Sequence, residues 1–136
     1  MTPKRRQPFA ALLGPLEAEV MEAVWVRGEV TVRDVDFALN ESRQVAYTTV
    51  MTTMGRLAEK GFLHRVETQP AHRYSALVTR DEYASNAVKS VLDWLLGQFG
   101  EPAVAYFVDR VGRKDERLIE SLREAIVRRE VAGGDD

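Results

Sequence analysis

The sequence predicts a mainly α-helical chain in two parts, with one β-hairpin before the second part. Three observations lead there. Apolar residues recur at helical spacing through most of the 136 residues. Residues 62–77 instead read as two strands around a turn. The sign of the charge also changes along the chain. Residues 43–80 hold six positive residues (Arg43, Arg56, Lys60, Arg65, Arg73, Arg80) against Glu59 and Glu67, a net of +4. Residues 81–136 hold 8 positive and 12 negative residues, a net of −4.

The elements follow in order. Residues 1–11 are basic and contain Pro3 and Pro8, and they read as a flexible arm. Gly14-Pro15 starts a first helix over about 16–27, with Leu16, Val20, Val24 and Trp25 near one face; Gly28 ends it. Glu29-Val30 is short enough for one strand step. Thr31 then caps a second helix over about 32–39, with Val32, Val35, Ala38 and Leu39 inward and Asp34 placed for a near capping box. Residues 40–44 are polar and form a turn. A third helix covers about 46–60 and stops at Gly61. Residues 62–67 and 72–77 are the hairpin strands, and 68–71 the turn between them.

Three helices followed by a hairpin is the order of a winged helix-turn-helix, in which the second and third helices form the helix-turn-helix and the hairpin is the wing. This domain is assigned to 12–78. Thr79-Arg80-Asp81-Glu82 then opens a long helix to about 99, which Gly100 ends. Pro102 begins a short helix that Gly112 breaks, and a last helix spans about 115–131. These three helices make a helical domain over 79–131, and 132–136 a disordered tail.

The third helix carries the functional signal. Ala46, Tyr47, Val50, Met51, Met54, Leu57 and Ala58 share one arc of its wheel; Thr48, Thr49, Thr52, Thr53, Gly55, Arg56, Glu59 and Lys60 share the other. The first arc suits docking on a core. The second is an odd solvated face, because threonine is a mediocre helix former. Hydroxyls and arginine do suit a DNA major groove, where they bond base edges and phosphates. Thr48, Thr49 and Thr52 are therefore expected at bases, and Arg56 and Lys60 further along at phosphates. Ala46 opens the same surface. Tyr47 lies beside the helix start, where packing and phosphate contact are both open. Arg43 in the turn and Arg73 in the wing flank the groove and are expected to touch DNA; Arg65 is the weaker candidate. Trp25, Met51 and Met54 are expected in the core.

The long helix has apolar residues over more than half its wheel, well beyond the roughly 100° stripe of a surface helix. Three such helices in under sixty residues expose more apolar surface than they can bury alone. A second copy of the chain is the expected cover, through Val88, Val91, Leu92, Leu95, Leu96, Phe99, Phe107, Leu118, Leu122 and Ile126. Arg128 and Arg129 suit the helix dipole and call for no function.

Other classes are disfavoured. The chain has no cysteine, which removes disulfides, thiolate metal sites and cysteine nucleophiles. No glycine-rich phosphate loop, triad or carboxylate pair suggests an enzyme, and no cofactor is expected. His64 and His72 lie across the hairpin without a third ligand of their kind, so wing packing or phosphate contact is expected rather than metal. No apolar run spans a bilayer, and Lys4, Arg5 and Arg6 precede no signal-peptide core, so no membrane association and a cytoplasmic location are expected. A winged helix can also serve as a protein-interaction module, but that use predicts a neutral third helix and wing, against the +4 of 43–80.

At this point the residues resemble a known family. The segment 13–21 (LGPLEAEVM), the run 46–52 (AYTTVMT) with Arg56-Leu57 and Lys60-Gly61, and His72-Arg73-Tyr74 resemble the opening helix, recognition helix and second wing strand of the penicillinase-repressor family, BlaI/MecI type. The run 105–112 is similar to actinobacterial members. The resemblance covers nearly all of 12–130. It implies a dimeric repressor on a dyad operator of double-stranded DNA, released when an antibiotic signal triggers a regulatory protease. In relatives the cleaved bond is Asn-Phe; the corresponding bond here is Tyr106-Phe107. Another branch senses copper through C-terminal cysteines, which this chain lacks. A small-molecule effector in the dimer cavity is the alternative to proteolysis.

Overall fold

The computed structural model describes residues 12–133, so the expected arm at 1–11 and residues 134–136 lie outside the described residues. Eight elements follow: α1 (Pro15–Arg27), α2 (Val32–Asn40), α3 (Tyr47–Glu59), β1 (Leu63–Val66), β2 (Arg73–Ala76), α4 (Arg80–Phe99), α5 (Glu101–Lys114) and α6 (Glu116–Gly133). They fall into two compact units divided within α4, one ending at Ser90 and the other starting at Val91.

In the first unit, helix boundaries follow local chemistry. Glu17 closes a capping box by accepting the Gly14 N–H, and Pro15 sits at the first helical position. Thr31 and Asp34 form the reciprocal box at the start of α2. Gly28 ends α1 at φ 88°, in the left-handed region where a side chain is strained. Strands β1 and β2 pair antiparallel with Leu63 opposite Ala76 and Val66 opposite Arg73. Val30 extends this sheet by one bridge, exchanging hydrogen bonds with Tyr74 at 2.9 and 2.7 Å. The expected single strand step at Glu29-Val30 is therefore present.

Val20, Met21 and Val24 of α1, Val35 and Leu39 of α2, Val50, Met54 and Leu57 of α3, and Val30, Leu63 and Tyr74 of the sheet form one buried core. Fully burying one such side chain contributes roughly 1.5–3 kcal/mol, which is what holds three short helices and a small sheet together. The first half of α4 belongs to this unit. Tyr83 accepts the Leu13 N–H at 2.8 Å and its ring meets Trp25 and Phe62, with centroids 6.1 and 5.9 Å apart. The compact unit thus runs past residue 78, where the sequence places the boundary, and Tyr83 ties the start of α4 to it.

Two side chains of α3 depart from expectation. Met51, expected in the core, is 46% exposed; Thr53, expected outward, is only 6% exposed. The buried stripe is centred on Val50, Thr53, Met54 and Leu57. Met51 lies about 100° round the helix from Val50, at the edge of that stripe. Thr53 is satisfied inside because its Oγ1 donates to the Thr49 carbonyl at 2.7 Å. Trp25 is half-buried, with Nε1 donating to the Val78 carbonyl at 2.9 Å.

In the second unit, α5 and α6 pack together, yet neither contains a buried residue. Gly112 does not break α5, which continues to Lys114. A Cβ at Gly112 would stand 3.5 Å from Ile119 Cδ1, so the glycine sits in the contact between the two helices. Helix α6 reaches Gly133 and so takes in the first two residues of the tail expected at 132–136. No helix among the described residues is long and apolar enough to cross a membrane.

Candidate nucleic-acid interface

Helix α3 presents its polar residues because its apolar stripe is consumed by the core. Tyr47, Thr48, Thr49, Met51, Thr52 and Arg56 are all exposed, while Val50, Met54 and Leu57 have no exposure. Ala46 is the N-cap rather than a helical residue, and its side chain caps nothing. The first turn of α3 carries no acidic residue, so the positive end of the helix dipole is not offset there. Tyr47, left open between packing and contact, is 48% exposed.

The flanking cations are present but engaged. Arg43 Nη1 lies 2.5 Å from Glu19 Oε2, Lys60 Nζ lies 2.8 Å from Glu17 Oε2, and Arg73 Nε lies 3.6 Å from Glu29 Oε1. Arg65 pairs with its neighbour Glu67 at 3.4 Å. Arg56 forms no ion pair among the described residues; it contributes only at longer range to the field on Glu17. The sequence showed these cations but not the carboxylates that α1 and the α1–α2 turn bring beside them. Half-exposed pairs of this kind are worth only about 0–1 kcal/mol, so a phosphate can displace the carboxylate.

Lys60 differs from the others. It is the C-cap of α3, and its partner Glu17 also accepts the Gly14 N–H at 3.0 Å. Burial pushes the Glu17 carboxyl up, but the Lys60 hydrogen bond, the Gly14 N–H and the Lys60 and Arg56 charges together hold it below its ordinary value. The carboxyl of Asp34 is also held below its ordinary value, chiefly by the Thr31 N–H, with help from the Thr31 hydroxyl and the charges of Arg73 and Arg27.

His64 and His72 are both exposed, and no group of three or more His, Asp or Glu among the described residues could hold a metal ion. In the second unit, Leu96, Phe99, Phe107, Leu118 and Ile126 are exposed, and Val91, Leu92, Leu95 and Leu122 half-buried; Val88, exposed, belongs to the first unit. Leu92, Leu95, Leu96, Phe99, Val104 and Phe107 line an apolar groove of about 660 Å³. The Tyr106–Phe107 bond lies inside α5, with Tyr106 63% exposed and the Arg110 guanidinium 5.6 Å from its ring centre.

A three-helix core, a hairpin beside the third helix and a hydroxyl-rich outward face on that helix define a winged helix-turn-helix protein. The penicillinase repressor family profile matches residues 13–128. The chain belongs to that family of winged-helix transcriptional regulators. It is 37% identical over 124 residues to the transcriptional regulator BlaI of Mycobacterium tuberculosis, covering 90% of this chain and 88% of the relative. The penicillinase repressor of Staphylococcus aureus is 25% identical over 114 residues, covering 81% and 86% of the two chains. Among solved structures, the hsRosR-S4 complex shares the fold with a TM-score of 0.50 at 16% identity, covering 93% of this chain and 98% of that one.

Proposed function

We propose that this protein is a sequence-specific repressor that binds a dyad operator in double-stranded DNA as a homodimer in the cytoplasm. The observation that carries the reading is the exposed row Thr48, Thr49, Thr52 and Arg56 on a helix anchored in the core by Val50, Thr53, Met54 and Leu57. In this arrangement α3 enters the major groove, the threonines meet base edges, and Arg43, Arg56 and Arg73 grip phosphates. The exposed apolar residues of α4, α5 and α6 are the surface that a second copy covers, and the spacing of the two α3 helices then sets half-site separation.

We further propose that cleavage at Tyr106–Phe107 by a regulatory protease, under an antibiotic signal, ends repression. The 63% exposure of Tyr106 in the single chain supports this reading. Gel-shift titration on a duplex selected from a random pool, with sedimentation of free and bound protein, tests the main reading. Two chains per palindromic site are expected; strictly monomeric protein on DNA overturns it. Mass analysis after incubation with the protease encoded nearest the gene tests the cleavage.

A further inference from the structure

Met51 is out of place as a core residue and well placed as a contact. Two methionines stand three residues apart on α3: Met54 is fully buried, whereas Met51 is 46% exposed. Its neighbours on the helix surface are Tyr47, Thr48 and Thr52, all exposed. Helical side chains lean toward the N-terminus of their helix, so Met51 lies over the turn holding Tyr47 and Thr48. The residue that would lean over Met51 in turn is Gly55, which has no side chain. A Cβ built at Gly55 would meet nothing within 4 Å, and its backbone is not in the left-handed region. Alanine would fit there and favour the helix, so nothing inside the protein calls for glycine. The combined result is a flexible apolar side chain left uncovered among hydroxyls.

The one methyl group that a base edge presents in the major groove is the C5-methyl of thymine. We propose that Met51 is a specificity-determining residue that packs its thioether on a thymine methyl of the bound duplex. This rests on the reading of α3 as the helix in the major groove. A polarizable, unbranched side chain adapts to such a contact without a fixed hydrogen-bond geometry. The threonines beside it bond polar edges, and Met51 adds discrimination at a position they do not reach.

The test replaces each thymine of a selected duplex, one at a time, by uracil, which removes only the methyl. Binding of unaltered protein is expected to weaken about fourfold at one thymine per half-site, the worth of one buried methyl group. In Met51→Ala that same replacement is expected to change nothing, while the effects at other thymines remain. Met51→Leu keeps an apolar contact and is expected to keep the sensitivity. Equal thermal midpoints of the three proteins show that folding is not the cause. A uracil profile that is identical in the protein and in Met51→Ala overturns the proposal and leaves the α3 reading standing. Failure to enrich any duplex from the random pool overturns both.

Discussion

Glu17 and Lys60 join the start of α1 to the end of α3 through a 2.8 Å ion pair, and the same carboxylate holds the Gly14 N–H at 3.0 Å. One side chain thereby fixes the N-cap of one helix and the C-cap of another. The pairing gives Lys60 a role within the fold besides the phosphate contact its sequence position suggests.

A carboxyl with a depressed folded pKa adds stability above its unfolded pKa, ordinarily 4.5 for Glu17, and loses it as pH falls through the lower folded value. Glu17→Gln is therefore expected to lower the thermal midpoint near neutral pH and to flatten its decline between about pH 5 and pH 3. Circular dichroism melts across that range check it; parallel curves for the two proteins contradict it.

Thr48→Ala and Thr49→Ala are expected to erase preference for the selected duplex over random DNA while leaving the unfolding free energy within about 0.5 kcal/mol of the parent, since both residues are exposed. Competition gel shifts read the first effect and melts the second. Equal weakening on both DNAs speaks against base readout.

Arg56→Ala is expected to weaken binding to all duplexes alike and to reduce the slope of log K against log salt by about one. Its lack of an ion pair among the described residues makes it the cleanest such probe. Titration at several salt concentrations measures the slope.

Glu19→Gln is expected to act in the opposite sense. Releasing Arg43 from its partner 2.5 Å away leaves a guanidinium available to phosphate. Affinity should rise about threefold on specific and random DNA together, within the range set by an exposed pair of about 0–1 kcal/mol. An unchanged affinity places Arg43 outside the contact.

Leu57→Ala tests the core that holds α3. Leu57 has no exposure, and truncation there is expected to cost about 2–5 kcal/mol of unfolding free energy. Urea denaturation followed by circular dichroism measures it.

Much of the first unit could be read in the sequence because its signals are local. Gly28, Thr31 with Asp34, and Gly61 mark ends that backbone geometry and capping bonds dictate. Sequence and structure part where a neighbour in space decides. Met51 and Thr53 both sit near the boundary of the apolar arc, and packing of α3 left the first out and took the second in. Thr53 could be buried because helical geometry offers it the Thr49 carbonyl. The ion partners of Arg43, Lys60 and Arg73 come from 24, 43 and 44 residues away along the chain, beyond the reach of any periodicity. Gly112 reads as a helix stop, yet it serves the close approach of Ile119 from the next helix.

The two hydrogen bonds between Val30 and Tyr74 carry a mechanical consequence. They stitch β2, at the residue that pairs with Arg65, to the link between α1 and α2, so the paired part of the wing is held on both sides. In the proposed binding mode, hairpin and third helix act like the fixed jaws of a caliper. A duplex gripped between them would have to match the set opening or bend to it, so that its sequence-dependent stiffness would be gauged without a touch on every base.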